Sequence, residues 1–195
     1  MINPALHEFL SISYLLLPLL FGIAFHGFCI KFRWLNRLAK PIDRGITLRG
    51  RPLFGSNKTY RGVVAVALGT AVAVGLQVIF HKFSGPHDYE LINYGNPISV
   101  LIGFLMGAAA MLAELPNSFV KRQLGIVPGG VTSGIKAALF YFLDQVDMLI
   151  GVWIVMWPFV NVTILRVILS VMFLFISHQI ISFAGFHLGM RSTSR

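Results

Sequence analysis

Charge is scarce in this chain: Asp, Glu, Lys and Arg make up only 12% of its 195 residues, against 56% hydrophobic residues. Soluble domains carry about twice that share of charge, so an ordinary soluble fold is excluded. Acids are scarcer than bases, 7 against 16, and the formal charge is +9. Cysteine occurs once, as Cys29 at the end of an apolar run, which rules out an intrachain disulfide and suits simple packing. Zinc-finger spacing and aromatic-interleaved RNA motifs are missing, so the basic balance does not point to nucleic acid.

What the chain has instead is apolar length, with a mean hydropathy of +0.76. Five segments qualify as spans: residues 9–30, 63–80, 98–114, 135–157 and 162–185. About 20 residues at 1.5 Å rise cover roughly 30 Å of hydrocarbon, so the expected fold is an all-α polytopic membrane protein with five transmembrane helices. One such domain, residues 1–195, uses up the length. Pro18 is placed to kink the first helix, and His26 reads as a hydrogen-bonded core histidine. The third segment is short, and Pro116 is expected to end it. Ala65, Gly69 and Ala73 in the second segment, and Gly103 and Gly107 in the third, are spaced for close helix approach within a monomer or across a homodimer.

Nine cations lie between Lys31 and Arg61. Basic loops stay in the cytoplasm, so the N-terminus is expected outside, the long basic loop between helices 1 and 2 inside, and the C-terminus, with Arg191 and Arg195, inside. Residues 81–97, with Lys82 set against Asp88 and Glu90, belong outside. Residues 115–134, with Lys121 and Arg122, belong inside, followed by Lys136. Their run from Gly125 to Gly134 has turn composition and suits a re-entrant or surface-lying link. Trp153 and Trp157 read as interfacial anchors, Arg166 as a residue snorkelling to headgroups, and His178 and Gln179 as interhelical hydrogen bonders.

Two aspartates interrupt the fourth segment. Asp144 and Asp147 are three residues apart, so a helix puts both on one face. An acid at mid-membrane costs about 2.5 to 3.5 kcal/mol, less near the interface, and two like charges repel. A divalent, oxygen-seeking cation such as Mg²⁺ between them answers both problems. The alternative is that both rest in the headgroup zone near the helix N-terminus, favoured by its dipole. Glu114, near the inner boundary, either snorkels to water or joins the same site.

The basic loop contains Gly55-Ser56-Asn57-Lys58-Thr59-Tyr60-Arg61-Gly62, in which two glycines bracket amide, cationic and hydroxyl side chains just before a helix. Backbone N–H groups, a helix N-terminus and two cations would make an anion site. A Walker A reading fails, because Ser56-Asn57 stand where Lys-Ser/Thr should follow and no strand is expected before the loop. A purely topogenic loop touching anionic lipid is the other reading, but orientation needs charge and not asparagine or bracketing glycines.

Three stretches in order carry a resemblance. Gly55-Ser56-Asn57-Lys58-Thr59-Tyr60-Arg61-Gly62, Asn117-Ser118-Phe119-Val120-Lys121-Arg122-Gln123-Leu124-Gly125 and Leu143-Asp144-Gln145-Val146-Asp147 resemble successive motifs of the CDP-archaeol synthase family, membrane enzymes related to phosphatidate cytidylyltransferase. The resemblance implies transfer of CMP from CTP to a lipid phosphate, archaeol-phosphate-like or phosphatidic-acid-like, with Mg²⁺ as cofactor and CTP, the lipid phosphate and membrane lipids as partners. It places Asn57, Lys58, Thr59 and Arg61 in a nucleotide-binding loop, Ser118, Lys121 and Arg122 in a phosphate-binding stretch, and Asp144 and Asp147 at the metal, with Lys58 and Arg61 also serving the chemistry. Gly125-Ile126 replace the Lys-Asp pair of the phosphatidate enzymes, which makes Glu114 the candidate third carboxylate. An active site on the cytoplasmic side of the cell membrane follows. Two other classes, an ion-coupled transporter and an anionic-lipid-binding scaffold, fit less well: internal repeats are not evident, and a scaffold leaves the intramembrane carboxylates unexplained.

Overall fold

The computed structural model describes residues 3–127 and 134–187, with the side chains of residues 134–138, 141, 178 and 181–187 outside that description. The Lys136 and His178 side chains, most of the turn-rich run after Gly125, and the Arg191 and Arg195 tail therefore lie outside the described residues.

Among the described residues the chain forms five long helices: α1 (Pro4–Lys31), α2 (Tyr60–Ser84), α3 (Ile98–Gln123), α4 (Gly134–Met156) and α5 (Ile164–His187). Of these, α1, α2 and α3 are long and apolar enough to cross a membrane by length and composition. Large side chains such as Leu17, Phe21, Val72, Leu76, Leu101 and Ile154 face outward, as they should where the solvent is lipid.

The helix starts are legible locally. The Asn3 side chain accepts from Ala5 N–H at 2.9 Å to cap α1, and the Thr59 hydroxyl accepts from Gly62 N–H at 3.2 Å to cap α2. The main difference from expectation is Pro116, which lies inside α3 instead of ending it. A proline removes one donor and crowds the carbonyl four residues back, but the turns on either side keep their bonds. Consequently α3 runs on for 26 residues, long enough to span, and Lys121 and Arg122 are in its last turn, not in a loop.

Glycine sets how closely the helices approach. A Cβ on Gly107 would meet Thr70 Oγ1 at 2.7 Å and the Val66 carbonyl at 2.8 Å, and one on Gly103 would meet Val74 Cγ2 at 2.6 Å. Gly69 of α2 stands against Gly22 of α1, and Gly151 of α4 stands against the α3 backbone at Ala109 and Ala110. Within the membrane such contact is a main source of cohesion, because lipid tails are as apolar as leucine. The small-residue faces read from the sequence are thus occupied by neighbouring helices of the same chain.

The core joins Leu15, Leu16 and Leu19 of α1 to Val66, Met106, Leu149, Val152 and Leu174 of the other helices. Trp153 belongs to this core, 7% exposed, whereas Trp157 is 74% exposed. Trp153 thus packs inside the bundle, and only Trp157 faces outward. At the end away from the basic loop, Arg166 departs from its expected snorkelling role. Its Nε and Nη2 donate to the two oxygens of Glu8 at 2.9 and 3.1 Å, tying α5 to α1. At that end Glu90 pairs with His81 at 2.8 Å.

Candidate active site

The loop from 32 to 59 is folded, with a 3-10 turn at Asn36–Leu38 and a two-stranded hairpin of β1 (Thr47–Leu48) and β2 (Arg51–Pro52). These strands, too short to read from periodicity, depart from the strand-free expectation. A bridge between Pro41 and Thr59 closes the loop at its base, with Ile42 N–H donating to the Lys58 carbonyl at 2.8 Å. Asp43 organises the interior. It is 4% exposed and accepts N–H groups from Gly45 (3.1 Å), Phe54 (3.0 Å) and Gly55 (2.9 Å). Burial alone would raise the Asp43 carboxyl; the backbone donors outweigh it and hold the group below the usual carboxylate range. Gly55 sits at φ +94°, a conformation that favours glycine. Arg51 donates to the Gln123 carbonyl and so fastens the hairpin to the end of α3.

This folding changes how the loop can hold an anion. The Phe54 and Gly55 N–H groups go to Asp43, Lys58 N–H goes to the Gly55 carbonyl, Tyr60 N–H to the Lys40 carbonyl, and Gly62 N–H to Thr59. Half of the eight backbone donors from Gly55 to Gly62 expected to cradle phosphate are spent inside the loop. The remaining donors at this end of the molecule are chiefly side chains.

Those side chains meet at a cavity of about 380 Å³ at the basic end of the bundle. Its polar lining includes Asn57 and Lys58 from the loop, Glu114, Ser118, Lys121 and Arg122 from α3, and Asp144 and Gln145 from α4. Leu20 and Ile23 of α1, Met148 of α4 and Leu174 of α5 supply an apolar wall. Two ion pairs cross it, Lys58 with Glu114 and Lys121 with Asp144. Asn117 Nδ2 donates to Asp144 Oδ1 at 2.8 Å and also hydrogen-bonds Asp147. Arg122 is 8% exposed, and its Nε and Nη1 have no hydrogen-bond partner among the described residues. Buried donors left unpaired cost about 1 to 3 kcal/mol each, more when charged, which an anionic ligand would recover.

The sequence-derived site residues divide. The structure gathers Asn57, Lys58, Glu114, Ser118, Lys121, Arg122 and Asp144 around one cavity. Thr59 caps α2, and Arg61 lies beside His26 and Cys29 of α1; neither is among the described lining residues. Asp147 stands one turn behind Asp144, in electrostatic range of Glu114, Lys58 and Lys121. Among the described residues no three His, Cys, Asp or Glu side chains are arranged to hold a metal. Asp147 Oδ2, however, is buried and lacks a donor among them. Two carboxylates a turn apart, one with a free oxygen, fit Mg²⁺, which usually takes one or two carboxylates and completes its shell with water and phosphate.

Sequence reasoning missed Asn117, Gln145, Asp43 and the cavity-lining His26. For Asn117 the signal was present: Glu114, Asn117, Ser118, Lys121 and Arg122 follow the i, i+3, i+4, i+7, i+8 face of one helix. Ending the helix at Pro116 hid it.

Comparison with known proteins places the chain among relatives. The CDP-archaeol synthase of Thermofilum pendens is 30% identical over 164 residues, covering 83% of this chain and 68% of that protein. That of Pyrobaculum aerophilum is 25% identical over 166 residues, covering 84% and 85%, and that of Saccharolobus solfataricus is 36% identical over 113 residues, covering 57% and 54%. A solved structure described as an intramembrane enzyme for archaeal membrane lipids biosynthesis superposes with a TM-score of 0.63 at 22% identity, covering 87% of this chain and 90% of the other, which shows a shared fold. With the model of the CarS-like family, CDP-archaeol synthase, matching residues 9–194, the chain belongs to that family.

Proposed function

We propose that this membrane enzyme, a CTP-dependent cytidylyltransferase, moves CMP from CTP to the phosphate of an archaeol-type lipid, with Mg²⁺, releasing pyrophosphate and leaving a CDP-lipid. One observation carries the reading: the cavity joins phosphate-seeking side chains and the Glu114 and Asp144 carboxylates to an apolar wall of membrane helices. A reactant with a charged head and an apolar tail needs both.

A lipid phosphate oxygen, ionised at neutral pH, attacks the α-phosphorus of CTP in line as pyrophosphate departs. This step needs no covalent enzyme intermediate, so catalysis consists of positioning and charge stabilisation. Lys58, Lys121 and Arg122 bind phosphate oxygens, the buried Arg122 most rigidly, since its two unpaired donors are already in place. Asn57 and Ser118 orient the phosphates by hydrogen bonds. Asp144 and Asp147 would hold Mg²⁺, with Glu114 in the neighbouring lining, and the ion would offset charge on the departing pyrophosphate. Thr59 acts by starting α2 where it does, and Arg61 by its charge behind His26. The single unit, residues 1–195, lies in the cell membrane with this end in the cytoplasm, where CTP is found and where the nine cations of the loop belong.

The test is incubation of purified protein with labelled CTP, Mg²⁺ and a panel of ether-linked and ester-linked lipid phosphates. Pyrophosphate and a CDP-lipid should appear together, with the ether-linked lipid preferred. CTP left intact with every acceptor would refute the reading.

A further inference from the structure

The cavity is more fully paired than a simple phosphate site. Lys58 is bound to Glu114 and Lys121 to Asp144, so both lysines assigned to phosphate are engaged with carboxylates. Asp144 Oδ1 receives both Lys121 and Asn117, which leaves that oxygen little room for a cation. A lysine held against its carboxylate has part of its charge offset and turns only its remaining N–H donors toward a phosphate. Leaving the largely buried Glu114 uncompensated is costly, and the half-exposed Asp144 would stand unpaired beside Glu114 and Asp147, so a lysine departs more readily if another cation replaces it. Lys58, Lys121 and Arg122 balance Glu114, Asp144 and Asp147 in formal charge. A divalent cation by itself upsets that balance in one direction and a triphosphate by itself upsets it further in the other, and the two together leave a smaller excess than the triphosphate alone. Among the described residues here, Asp147 Oδ2 is a buried acceptor and Arg122 Nε and Nη1 are buried donors without hydrogen-bond partners.

Building on the cytidylyl-transfer reading, we propose that Lys58 and Lys121 are exchangeable counter-ions: they hold Glu114 and Asp144 until a divalent cation and a triphosphate enter together, then pass to phosphate oxygens while the carboxylates pass to the cation. No bond is made or broken in the exchange. Its consequence is that cation and nucleotide bind cooperatively, each raising the affinity for the other by the same factor. Glu114 and Asp144 thereby become positioning residues for the lysines as well as ligands in waiting, which accounts for carboxylates and lysines sharing one lining. It also fits the placement of the pairs on three separate elements, since Lys58 comes from the loop, Glu114 and Lys121 from α3, and Asp144 from α4.

The test is binding of Mn²⁺ to the full-length protein in lipid nanodiscs, read by electron paramagnetic resonance. It is run with and without CTP, no lipid acceptor present, and corrected for Mn²⁺ chelated by free CTP. Wild type should bind Mn²⁺ about tenfold more tightly with CTP, within the roughly 5- to 150-fold range of ordinary coupling. Without CTP, Lys121→Gln and Lys58→Gln should each bind Mn²⁺ severalfold more tightly than wild type, because a competing cation is gone, and the gain from CTP should shrink toward none. Lys121→Arg, which keeps the charge, should keep the coupling. Unchanged or weaker nucleotide-free Mn²⁺ binding in both glutamine variants overturns the exchange, since a lysine that only braces helices does not compete with a cation. If wild type still forms CDP-lipid in that case, the reaction reading stands and the exchange alone falls. Should one glutamine variant not fold, the other decides, because its lysine lies on a different element. Wild type that binds no Mn²⁺ with or without CTP overturns the exchange and the metal assignment together.

Discussion

Asp43 touches none of the cavity, yet replacing it should cripple nucleotide binding. Its carboxylate accepts three backbone N–H groups, at 3.1, 3.0 and 2.9 Å, and with them closes the loop that delivers Asn57 and Lys58. Hydrogen bonds to a charged group contribute about 1.5 to 3 kcal/mol each, so even the low end puts roughly 4 kcal/mol behind the closed loop before relaxation. Asp43→Asn keeps one acceptor oxygen but turns an amide NH₂ toward backbone donors, and Asp43→Ala leaves buried donors unpaired. Apparent affinity falls by the fraction of molecules whose loop is closed, and every 1.4 kcal/mol is tenfold. CTP affinity should therefore drop at least about tenfold in either variant, and the 41–59 segment should become protease-sensitive while the helices stay protected. The pH dependence has a defined sign. A carboxyl depressed below its usual range stabilises the loop at all pH values above that range and loses the effect only as pH falls through its own lower value. Wild-type loop protection should thus be flat from pH 8 to pH 5 and fail only in strong acid, whereas the variants are unprotected throughout. Full CTP affinity together with wild-type protease resistance in Asp43→Asn would refute the reasoning.

Three other outcomes follow from the same geometry. Asp144→Asn or Asp147→Asn should abolish CTP-dependent product with expression intact, and turnover at the wild-type rate by either would remove the metal assignment. Arg122→Gln deletes a buried guanidinium with two open donors, so pyrophosphate inhibition should weaken by ten- to a hundredfold, about 1.5 to 3 kcal/mol, in a competition assay. Gly107→Leu drives a side chain into Thr70 Oγ1 and the Val66 carbonyl; it should cost at least about 1 to 3 kcal/mol of overpacking and appear as a lowered thermal midpoint in detergent.

Much of the helix plan could be read without coordinates, because hydrocarbon tolerates few alternatives to long apolar helices. The five expected segments agree with the observed helices to within a few residues at most ends. The exception, the far end of α3, traces to one proline whose effect depends on the turns around it. The same error concealed the polar face carrying Glu114, Asn117 and Lys121. The Gly103 and Gly107 face was legible as a contact, but its partner was not, since a small-residue face is complementary to any close-packing helix; α2 supplies Thr70 and Val66. Arg166 was misassigned for a similar reason: Glu8 lies 158 residues away, and nothing local announces the pair.

The order of residues alone determined that this chain lives in a membrane, that its cations crowd one end, and that Asp144 and Asp147 share a helix face; these follow from hydropathy, charge and the 3.6-residue turn, all short-range properties. Tertiary structure decided which opposite charges meet. Lys58 finds Glu114 across 56 residues and Lys121 finds Asp144 across 23, while Thr59 is spent on a cap and the loop's amides on Asp43. Those outcomes depend on how closely glycine lets α2, α3 and α4 approach, and distance in space, not along the chain, sets the strength of an electrostatic bond.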